Sequence, residues 1–484
     1  MKKRIRELEK ISLSLEPNAR ARKETRGKVI SYTELFLKEI EKSKAYQVTS
    51  DKGLGLLESP VSENAINIDE AISLIEYNVD RPGLNPASGG HLGYIPGGGI
   101  YYSSLGDYMA DISNSYAGVF FASPGAVRME NMLISWMSEL IGYPKTSGGN
   151  LASGGSIANL TAIVTARDAH QLKAKDFDRT VVYLSEHVHH CVDKALRIAG
   201  LGECIKRYIP LDNKYRIIPE ELEKAINKDK TEGFYPWLVI ASAGTTDVGA
   251  VDPLDAIGDI AGKHRLWYHI DGAYGGFFAL TSEGKSILKG IEKSDSVVMD
   301  PHKTLFLPYG LGVVLVKDRQ KLYHSHYYQA NYMQDTLHSV DEFSPADLSP
   351  ELTKHFRGLR LWLPLKLLGL KPFRAALEEK LLLARYFYIE VQKLGFEVGP
   401  YPQLSVVTYR YLPESGDANK FNEHLVNEIQ KDGRVFISST MLDGKYTLRL
   451  AVVSFRTHLK TIDLALSVLK EKTQFLISNA KEFD

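Results

Sequence analysis

A lysine stands where a reactive amine would be held in place. The apolar run Ser296–Met299 is followed at once by Asp300, Pro301, His302 and Lys303. The proline fixes the backbone near Lys303. The lysine is therefore expected to be held at one place, unlike a mobile lysine on a solvated helix face. We predict that burial and nearby positive charge lower the pKa of Lys303 and make its amine a nucleophile.

An aspartate is placed by the same design. An apolar run over residues 266–270 ends at Asp271, and small residues beginning with Gly272 and Ala273 follow. Residues at the carboxyl ends of parallel strands line the ligand crevice of an α/β sheet. We expect Asp271 and Lys303 to meet in one crevice, where the small residues leave room for a flat group.

These two residues are what pyridoxal 5'-phosphate (PLP) chemistry requires of a protein. The amine can form a Schiff base with the cofactor's aldehyde, and the carboxylate can pair with its pyridinium nitrogen. A protonated ring nitrogen makes the ring an electron sink, so exchanging Asp271 for Asn should impair the chemistry far more than cofactor binding. The pair of Asp271 and Lys303 therefore predicts a PLP-dependent enzyme.

The surrounding motifs, taken in order, resemble the group II PLP-dependent amino-acid decarboxylases, the family of aromatic-amino-acid and glutamate decarboxylases. The resemblance runs from about His91 to Arg456. It implies a homodimeric fold-type I enzyme that releases carbon dioxide from an L-amino acid, with an aromatic one as the expected substrate. The alternatives are an aldehyde synthase or another PLP lyase on the same scaffold, and a relative that binds PLP without turnover.

Three closely spaced histidines, His187, His189 and His190, first suggest a metal site. No cysteine or carboxylate stands at a supporting spacing, and three histidines this close cannot all reach one ion from a regular element. We predict no metal. The resemblance assigns His189 to stacking on the cofactor ring, while His187 and His190 are expected to be solvated or to cap a helix.

A phosphate cradle is predicted at the glycine-rich stretch 148–156. The helical pattern Ile157–His170 follows it, and free N–H groups at a helix amino terminus attract anions. Taken alone, the pattern is more typical of an ordinary glycine-rich helix start. The resemblance decides for phosphate and assigns Gly155, Ser156 and His302 to the cofactor. No dinucleotide-binding Gly-x-Gly-x-x-Gly motif with a suitably spaced acid is present, so a Rossmann protein is disfavoured.

Further cofactor contacts come from the resemblance. Thr246 follows the apolar run Trp237–Ala241, where its hydroxyl could reach the ring oxygen or a nearby carboxylate, and Ala273 is expected beside the ring. Asp300 stands where many relatives have Asn, which puts a second carboxylate near the phosphate. Arg449 matches a family arginine, and either a structural salt bridge or a carboxylate-binding role fits it.

A second glycine-rich loop, His91–Gly99, is expected to wall the substrate pocket. Its glycine and proline content excludes the interior of a helix or strand. The resemblance makes Tyr94, Ile95 and Pro96 the pocket candidates. It also marks Gly97 as a departure, because many aromatic decarboxylases have Thr or Ser there.

The polar stretch 323–351 is expected to form a lid that carries a proton donor for the substrate's α carbon. Tyr327, Tyr328 and Tyr332 are the candidates, and we favour Tyr332. Counting back from the motif at residues 356–360 lands nearer Phe343. In plant relatives a Tyr-to-Phe exchange at the family position accompanies oxygen-consuming aldehyde formation.

Composition favours an enzyme that acts on a small molecule. Lys plus Arg and Asp plus Glu both number 59, so no net charge attracts nucleic acid or an anionic membrane. The two cysteines, Cys191 and Cys204, fit a reducing compartment, and no apolar run reaches membrane-spanning length. We expect a cytoplasmic protein that binds neither nucleic acid nor a membrane.

The order of patterns predicts the fold. From Thr180 onward, short apolar runs alternate with helical patterns, as in a largely parallel sheet with helices on both faces, and Val313–Val316 should add antiparallel. We predict an N-terminal helical arm (1–88), a large PLP-binding α/β domain (89–370) and a small α+β C-terminal domain (371–484). In the resembled family the arm clasps a partner subunit.

Overall fold

The computed structural model describes residues 1–328 and 342–479. The α-helices of this part are α1 (Lys2–Ser12), α2 (Ala19–Glu39), α3 (Ile68–Ile75), α4 (Tyr101–Ser113), α5 (Pro124–Leu140), α6 (Gly155–Ala169), α7 (Cys191–Ile198), α8 (Pro219–Thr231), α9 (Leu254–His264), α10 (Ser282–Ile287), α11 (Pro301–Thr304), α12 (Arg319–His326), α13 (Gly358–Leu368), α14 (Leu370–Lys393), α15 (Ala418–Asp432) and α16 (Leu459–Ser478). The strands are β1 (Tyr46–Gln47), β2 (Gly83–Leu84), β3 (Gly148–Ala152), β4 (Thr180–Leu184), β5 (Ile205–Tyr208), β6 (Tyr235–Ser242), β7 (Trp267–Asp271), β8 (Ser296–Met299), β9 (Gly312–Val316), β10 (Phe396–Val398), β11 (Val406–Tyr411), β12 (Ser438–Leu442) and β13 (Lys445–Ala451).

The larger sheet has seven strands in the order β3-β9-β8-β7-β6-β4-β5. Strands β8, β7, β6, β4 and β5 pair in parallel, and β9 pairs antiparallel with both β8 and β3. The predicted α/β architecture is confirmed, including the antiparallel strand at Val313–Val316.

Both faces of this sheet are buried under helices. Along β6, Leu238 and Ile240 pack with residues of α6 and α7 in one core, and Val239 and Ala241 pack with residues of α5 and α9 in another. Burial on both faces accounts for strands that read as nearly unbroken apolar runs. The parallel strands β6, β7 and β8 end at the same edge of the sheet, and this edge carries Asp271.

The sequence pattern does not predict strand β3. Its five residues are all buried, although glycine and asparagine are poor strand formers. A Cβ at Gly149 would lie 2.2 Å from the carbonyl oxygen of Val314, so the close pairing of β3 with β9 requires glycine there.

The smaller sheet has four antiparallel strands in the order β10-β11-β13-β12, packed against α14, α15 and α16. Residues 435–437 are apolar, as strand residues commonly are, but β12 begins only at Ser438. This segment instead pairs with the pocket loop, where the Leu92 N–H donates to the carbonyl of Phe436. Its apolar character reflects burial, since all three residues are buried.

The amino-terminal arm lies largely on the surface. Within the described chain, α1, α2 and α3 contain no buried residue. The arm is tied to the rest where the Ala45 N–H donates to the carbonyl of Gly433. The boundaries 1–88, 89–370 and 371–484 stay a prediction. Among the described residues, no helix has both the length and the apolar character needed to span a bilayer.

Candidate active site

A cavity of about 290 Å³ opens at the carboxyl edge of the larger sheet. It is lined by residues of the β3–α6 turn, the starts of α7 and α11, and the ends of β6 and β7: Ser153, Gly154, Gly155, Ser156, Ile157, Asn159, His189, Cys191, Ser242, Gly244, Thr245, Thr246, Asp271, Ala273, Tyr274, Asp300, His302 and Lys303. The structure thus brings Lys303 and Asp271 together in one cavity.

Lys303 lies in the short helix α11, which Pro301 starts directly after β8. Its Nζ is 3.0 Å from Oδ2 of Asp300, whose side chain is 1% exposed. Burial lowers the pKa of Lys303, but the carboxylates of Asp300 and Asp271 outweigh burial and raise the pKa above its ordinary value. The expectation of a lowered pKa is therefore wrong for this state of the site, because the neighbouring charges are negative.

Asp271 is the last residue of β7 and is buried. Its Oδ1 accepts a hydrogen bond of 3.1 Å from the Ala273 N–H, and its Oδ2 faces the Asn159 side-chain amide at 3.4 Å. Each carboxylate oxygen thus has one partner within the protein, and the two contacts orient the side chain.

His189 stands between the end of β4 and the start of α7. Its Nδ1 accepts a hydrogen bond from the Cys191 N–H at 3.2 Å. Burial lowers the pKa of His189, with the Asp271 carboxylate acting against it. A neutral imidazole ring at the cavity wall is suited to stacking on a flat heterocycle.

The other two histidines do different work. His190 occupies the N-cap position of α7, although its side chain makes no capping hydrogen bond within the described part of the chain. His187 is half-buried, and its Nδ1 lies 3.4 Å from Oδ2 of Asp247. His187 therefore neither caps a helix nor lies free in solvent. The described residues contain no cluster of three or more groups that could hold a metal ion.

The amino terminus of α6 forms the anion-facing wall of the cavity. The first N–H groups of a helix have no partner within it, and they lie here beside Gly154 and Gly155. A Cβ at Gly155 would lie 2.8 Å from Oδ2 of Asp300. The Nδ1 of His302 is 2.5 Å from the carbonyl oxygen of Leu311, which fixes the ring beside this turn.

The cavity fits PLP by the chemistry of its donors. It offers an amine at Lys303, a carboxylate at Asp271, and helix N–H groups next to Gly155 and Ser156. Each matches one reactive part of the cofactor: the aldehyde, the ring nitrogen and the phosphate. The buried Asp300 carboxylate lies beside this wall, and its Oδ1 has no hydrogen-bond partner among the described residues.

The predicted substrate loop lies next to this cavity but does not line it. Among the described lining residues, none is Tyr94, Ile95 or Pro96, so their role stays a prediction. A Cβ at Gly97 would lie 2.3 Å from the carbonyl oxygen of His302. This contact explains why the chain has glycine where a larger residue would displace the backbone of the reactive lysine.

Arg449 supports the same loop instead of facing the cavity. Its guanidinium donates hydrogen bonds to the carbonyl oxygens of Tyr94 and Asp247 and to the hydroxyl of Ser438. These contacts occupy most of its donors. The structure thus favours a structural role, through backbone carbonyls rather than a salt bridge.

The lid residues separate into described and undescribed ones. Tyr332 lies outside the described residues. Tyr327, Tyr328 and Phe343 are described, and none of the three is among the residues that line the cavity. Phe343 packs under the Arg319 guanidinium at 4.3 Å in an apolar core. This position does not suit a residue that covers a substrate in the same chain.

Asn159 and Cys191 are among the lining residues that the sequence did not single out for this site. Asn159 is a fully buried polar residue within α6, four positions after Gly155, and Cys191 is buried beside it. Burial raises the pKa of Cys191 to about 12, which keeps the thiol protonated. Their signal was weak, because a polar residue in a helix pattern is usually read as solvent-facing.

Comparison with known proteins gives a consistent result. Residues 86–412 match the family described as pyridoxal-dependent decarboxylase conserved domain. An aromatic-L-amino-acid decarboxylase of Bacillus atrophaeus is 34% identical over 86% of this chain and 88% of its own. A phenylacetaldehyde synthase of Arabidopsis thaliana is 28% identical over 78% of this chain and 80% of its own. The crystal structure of Oryza sativa TDC with PLP and tryptamine superposes with a TM-score of 0.89 at 25% identity, covering 96% of this chain and 99% of that one.

Proposed function

The chain belongs to the pyridoxal-dependent decarboxylase family, and we propose that it converts an aromatic L-amino acid to the corresponding amine and carbon dioxide. One observation carries the chemistry: Lys303 and Asp271 line a single cavity that also contains the amino terminus of α6. The aromatic substrate is supported by the Bacillus atrophaeus relative, whose name states that specificity.

PLP, when bound, supplies an electron sink for the electron pair left behind as carbon dioxide departs. The residues of this chain divide the remaining work. Lys303 would hold the cofactor through its amine. Asp271 would keep the ring nitrogen protonated, because a buried carboxylate favours a charged partner. His189, at the cavity wall, would stack on one face of the ring.

The phosphate is assigned to Gly155, Ser156 and His302, and the ring surroundings to Thr246 and Ala273. The support for these assignments is that all five residues line the cavity that contains Lys303. Tyr94, Ile95 and Pro96 are proposed to wall the substrate side, on the loop whose Gly97 packs against the Lys303 region.

Tyr332 is proposed as the acid that protonates the α carbon after decarboxylation. The rival is aldehyde formation, which the resemblance to a phenylacetaldehyde synthase keeps under consideration. The packing of Phe343 against Arg319 supports the amine product, because it places this phenylalanine outside the cavity of its own chain.

The experiment is a product assay. Purified protein loaded with PLP is offered a panel of L-amino acids, and amine, aldehyde and hydrogen peroxide are measured together. Amine from an aromatic amino acid without peroxide supports the proposal, and Lys303→Ala should abolish it. Lys145→Ala, at an exposed lysine, serves as the control. Stoichiometric aldehyde and peroxide, or turnover of an acidic amino acid alone, would overturn it.

A homodimer is proposed on the basis of the arm's surface. Apolar side chains on α1 and α2 are exposed in the single chain, namely Ile5, Leu8, Ile11, Val29, Ile30 and Leu35. An apolar surface of this extent is typical of an interface. Sedimentation of the full chain should give a mass near twice 54.1 kDa, and a mass of one chain would contradict the proposal.

A cytoplasmic location and the three-part domain division are proposed as well. The location is supported by Cys191 and Cys204, which are buried and unpaired. The division at residues 88 and 370 is supported by the three separate sheets, because β1 and β2, β3 to β9, and β10 to β13 each fall within one of the three parts.

A further inference from the structure

A line of buried polar side chains runs behind Asp271 and away from the cavity. The Trp267 Nε1 is 2.9 Å from the Ser296 Oγ, which is 2.8 Å from the His269 Nδ1. The His269 Nε2 is 2.8 Å from the Asn159 Oδ1. Each of these side chains is at most 2% exposed. Polar groups buried this deeply destabilise a core unless every one is hydrogen-bonded.

The chemistry of the groups fixes the direction of each hydrogen bond. The Asn159 Nδ2 donates to the carbonyl oxygen of Gly155 at 3.0 Å and faces the Asp271 carboxylate. A flipped amide would set its oxygen against two acceptors, so Oδ1 must face His269. Since an amide oxygen can only accept, the His269 Nε2 carries the hydrogen.

The rest of the line follows from this assignment. Burial lowers the pKa of His269 to about 4, so the ring is neutral and its Nδ1 accepts a hydrogen bond. The Ser296 hydroxyl therefore donates to Nδ1, and its oxygen accepts from the indole N–H of Trp267. All hydrogens in the line point the same way, toward Asp271.

The line ends in two different places. One Asn159 N–H is directed at Oδ2 of Asp271, at a distance of 3.4 Å between the two heavy atoms. The other binds the Gly155 carbonyl in the first turn of α6, next to the anion-facing wall. The Asn159 side chain therefore connects Asp271, at the end of the cavity assigned to the ring nitrogen, to Gly155, at the end assigned to the phosphate.

We propose that Asn159 is a positioning residue: held by His269 and Ser296, it orients the Asp271 carboxylate toward the cofactor's ring nitrogen and fixes its distance from the first turn of α6. The inference rests on the proposed function for the identity of the cofactor. Asn159 acts through Asp271 and does not itself exchange a proton with the substrate.

The test compares Asn159→Asp with a matched control. Asn422→Asp also exchanges a fully buried helical asparagine, one whose amide pairs with the backbone of Tyr411 in the small sheet region. The visible absorbance of bound PLP is recorded across pH 5 to 9, alongside kcat, KM and the PLP dissociation constant. A merely structural role would move the unfolding temperature of both variants and leave the spectral titration of both unchanged.

The expected results are specific to Asn159. Asn159→Asp should shift the midpoint of the spectral titration by about one pH unit and lower kcat about tenfold, with KM and PLP affinity changed about threefold or less. Loading with 1-deazapyridoxal 5'-phosphate, which has carbon in place of the ring nitrogen, should erase the spectral difference from the unaltered protein. Asn422→Asp should show none of these changes.

A second pair of variants covers the case in which Asn159→Asp does not fold. His269→Gln keeps an N–H for the Asn159 oxygen and should retain the spectral titration, whereas His269→Phe should shift it. Equal titrations for both His269 variants, or an Asn159→Asp titration that matches the unaltered protein, would overturn the proposal. Failure of the proposed function is seen separately, as absence of PLP uptake or of amine product in the unaltered protein.

Discussion

Lys303 and Asp300 form a buried ion pair, with the Nζ of the lysine 3.0 Å from Oδ2 of the aspartate. The pair stands at the first turn of α6, where a Cβ at Gly155 would touch the same carboxylate. Asp300 therefore lies beside the helix terminus that a cofactor phosphate would approach. Its carboxylate also raises the pKa of Lys303 and so favours the charged amine. This relationship gives a role to the Asp300 carboxylate, which is the partner of the Lys303 amine.

The first prediction concerns the charge on Lys303. Asp300→Asn removes a carboxylate that raises the pKa of Lys303, so the neutral amine should be present at lower pH. The pH profile for covalent capture of PLP should shift downward by about one unit. Stopped-flow absorbance after mixing with PLP measures it.

The control for this prediction is Asp193→Asn, which removes a surface ion pair of 2.7 Å with Lys206. It should leave the capture profile in place. A profile that does not move in Asp300→Asn would show that the ion pair has no influence on the amine during capture.

The second prediction separates binding from chemistry at Asp271. Asp271→Asn keeps the shape and the contact with the Ala273 N–H, but it removes the charge that we propose keeps the ring nitrogen protonated. We expect kcat to fall about a hundredfold or more while the PLP dissociation constant changes much less. Steady-state kinetics and a fluorescence titration measure the two. Equal losses in both would contradict the assigned role.

The third prediction tests the contact between the two glycine-rich regions. Gly97→Ser would place a Cβ 2.3 Å from the carbonyl oxygen of His302, so the backbone of α11 must shift. We expect a loss of about 1–3 kcal/mol in unfolding free energy together with weaker PLP binding. At Gly202, no described atom outside its chain neighbours lies within 4 Å of the added Cβ. Gly202→Ser should therefore change neither quantity, and equal behaviour of the two variants would contradict the prediction.

The fourth prediction concerns the product. Tyr332→Phe should reduce amine formation and, in a reaction that consumes molecular oxygen, release aldehyde, ammonia and hydrogen peroxide, because the variant lacks the proton donor that we propose for the α carbon. Phe343→Tyr should leave the product unchanged, since Phe343 packs against Arg319 and Tyr323 away from the cavity. Chromatography of the amine and a peroxidase-coupled assay follow both products. Peroxide formation in the unaltered protein that disappears in Phe343→Tyr would reverse the assignment.

Sequence patterns predict the parallel strands well, and the reason is burial. Strand β8 is buried throughout, so Ser296–Met299 reads as an unbroken apolar run and its bounds are the predicted ones. Strand β3 is not predicted in this way. Its close backbone pairing with β9 requires glycine at residue 149, and a glycine-rich sequence is typical of a loop. Residues 435–437 are apolar because they are buried in a core. An apolar pattern of this length does not distinguish a buried loop segment from a strand of a sheet.

The site divides along similar lines. Lys303 and Asp271 are recognisable because each ends an apolar run, and parallel topology brings such ends together. The raised pKa of Lys303 depends on where the Asp300 side chain points, which spacing does not determine. Asn159 is recognised only when His269 and Asp271, more than a hundred residues away along the chain, are placed beside it.

The most direct test of the central claim is to locate the cofactor's covalent attachment. Protein loaded with PLP is reduced with borohydride, digested and analysed by peptide mass spectrometry. We predict a single modified lysine at Lys303, with the visible absorbance of the loaded protein lost in Lys303→Ala. Stable modification at a different lysine, or a protein that takes up no PLP at all, would contradict the account.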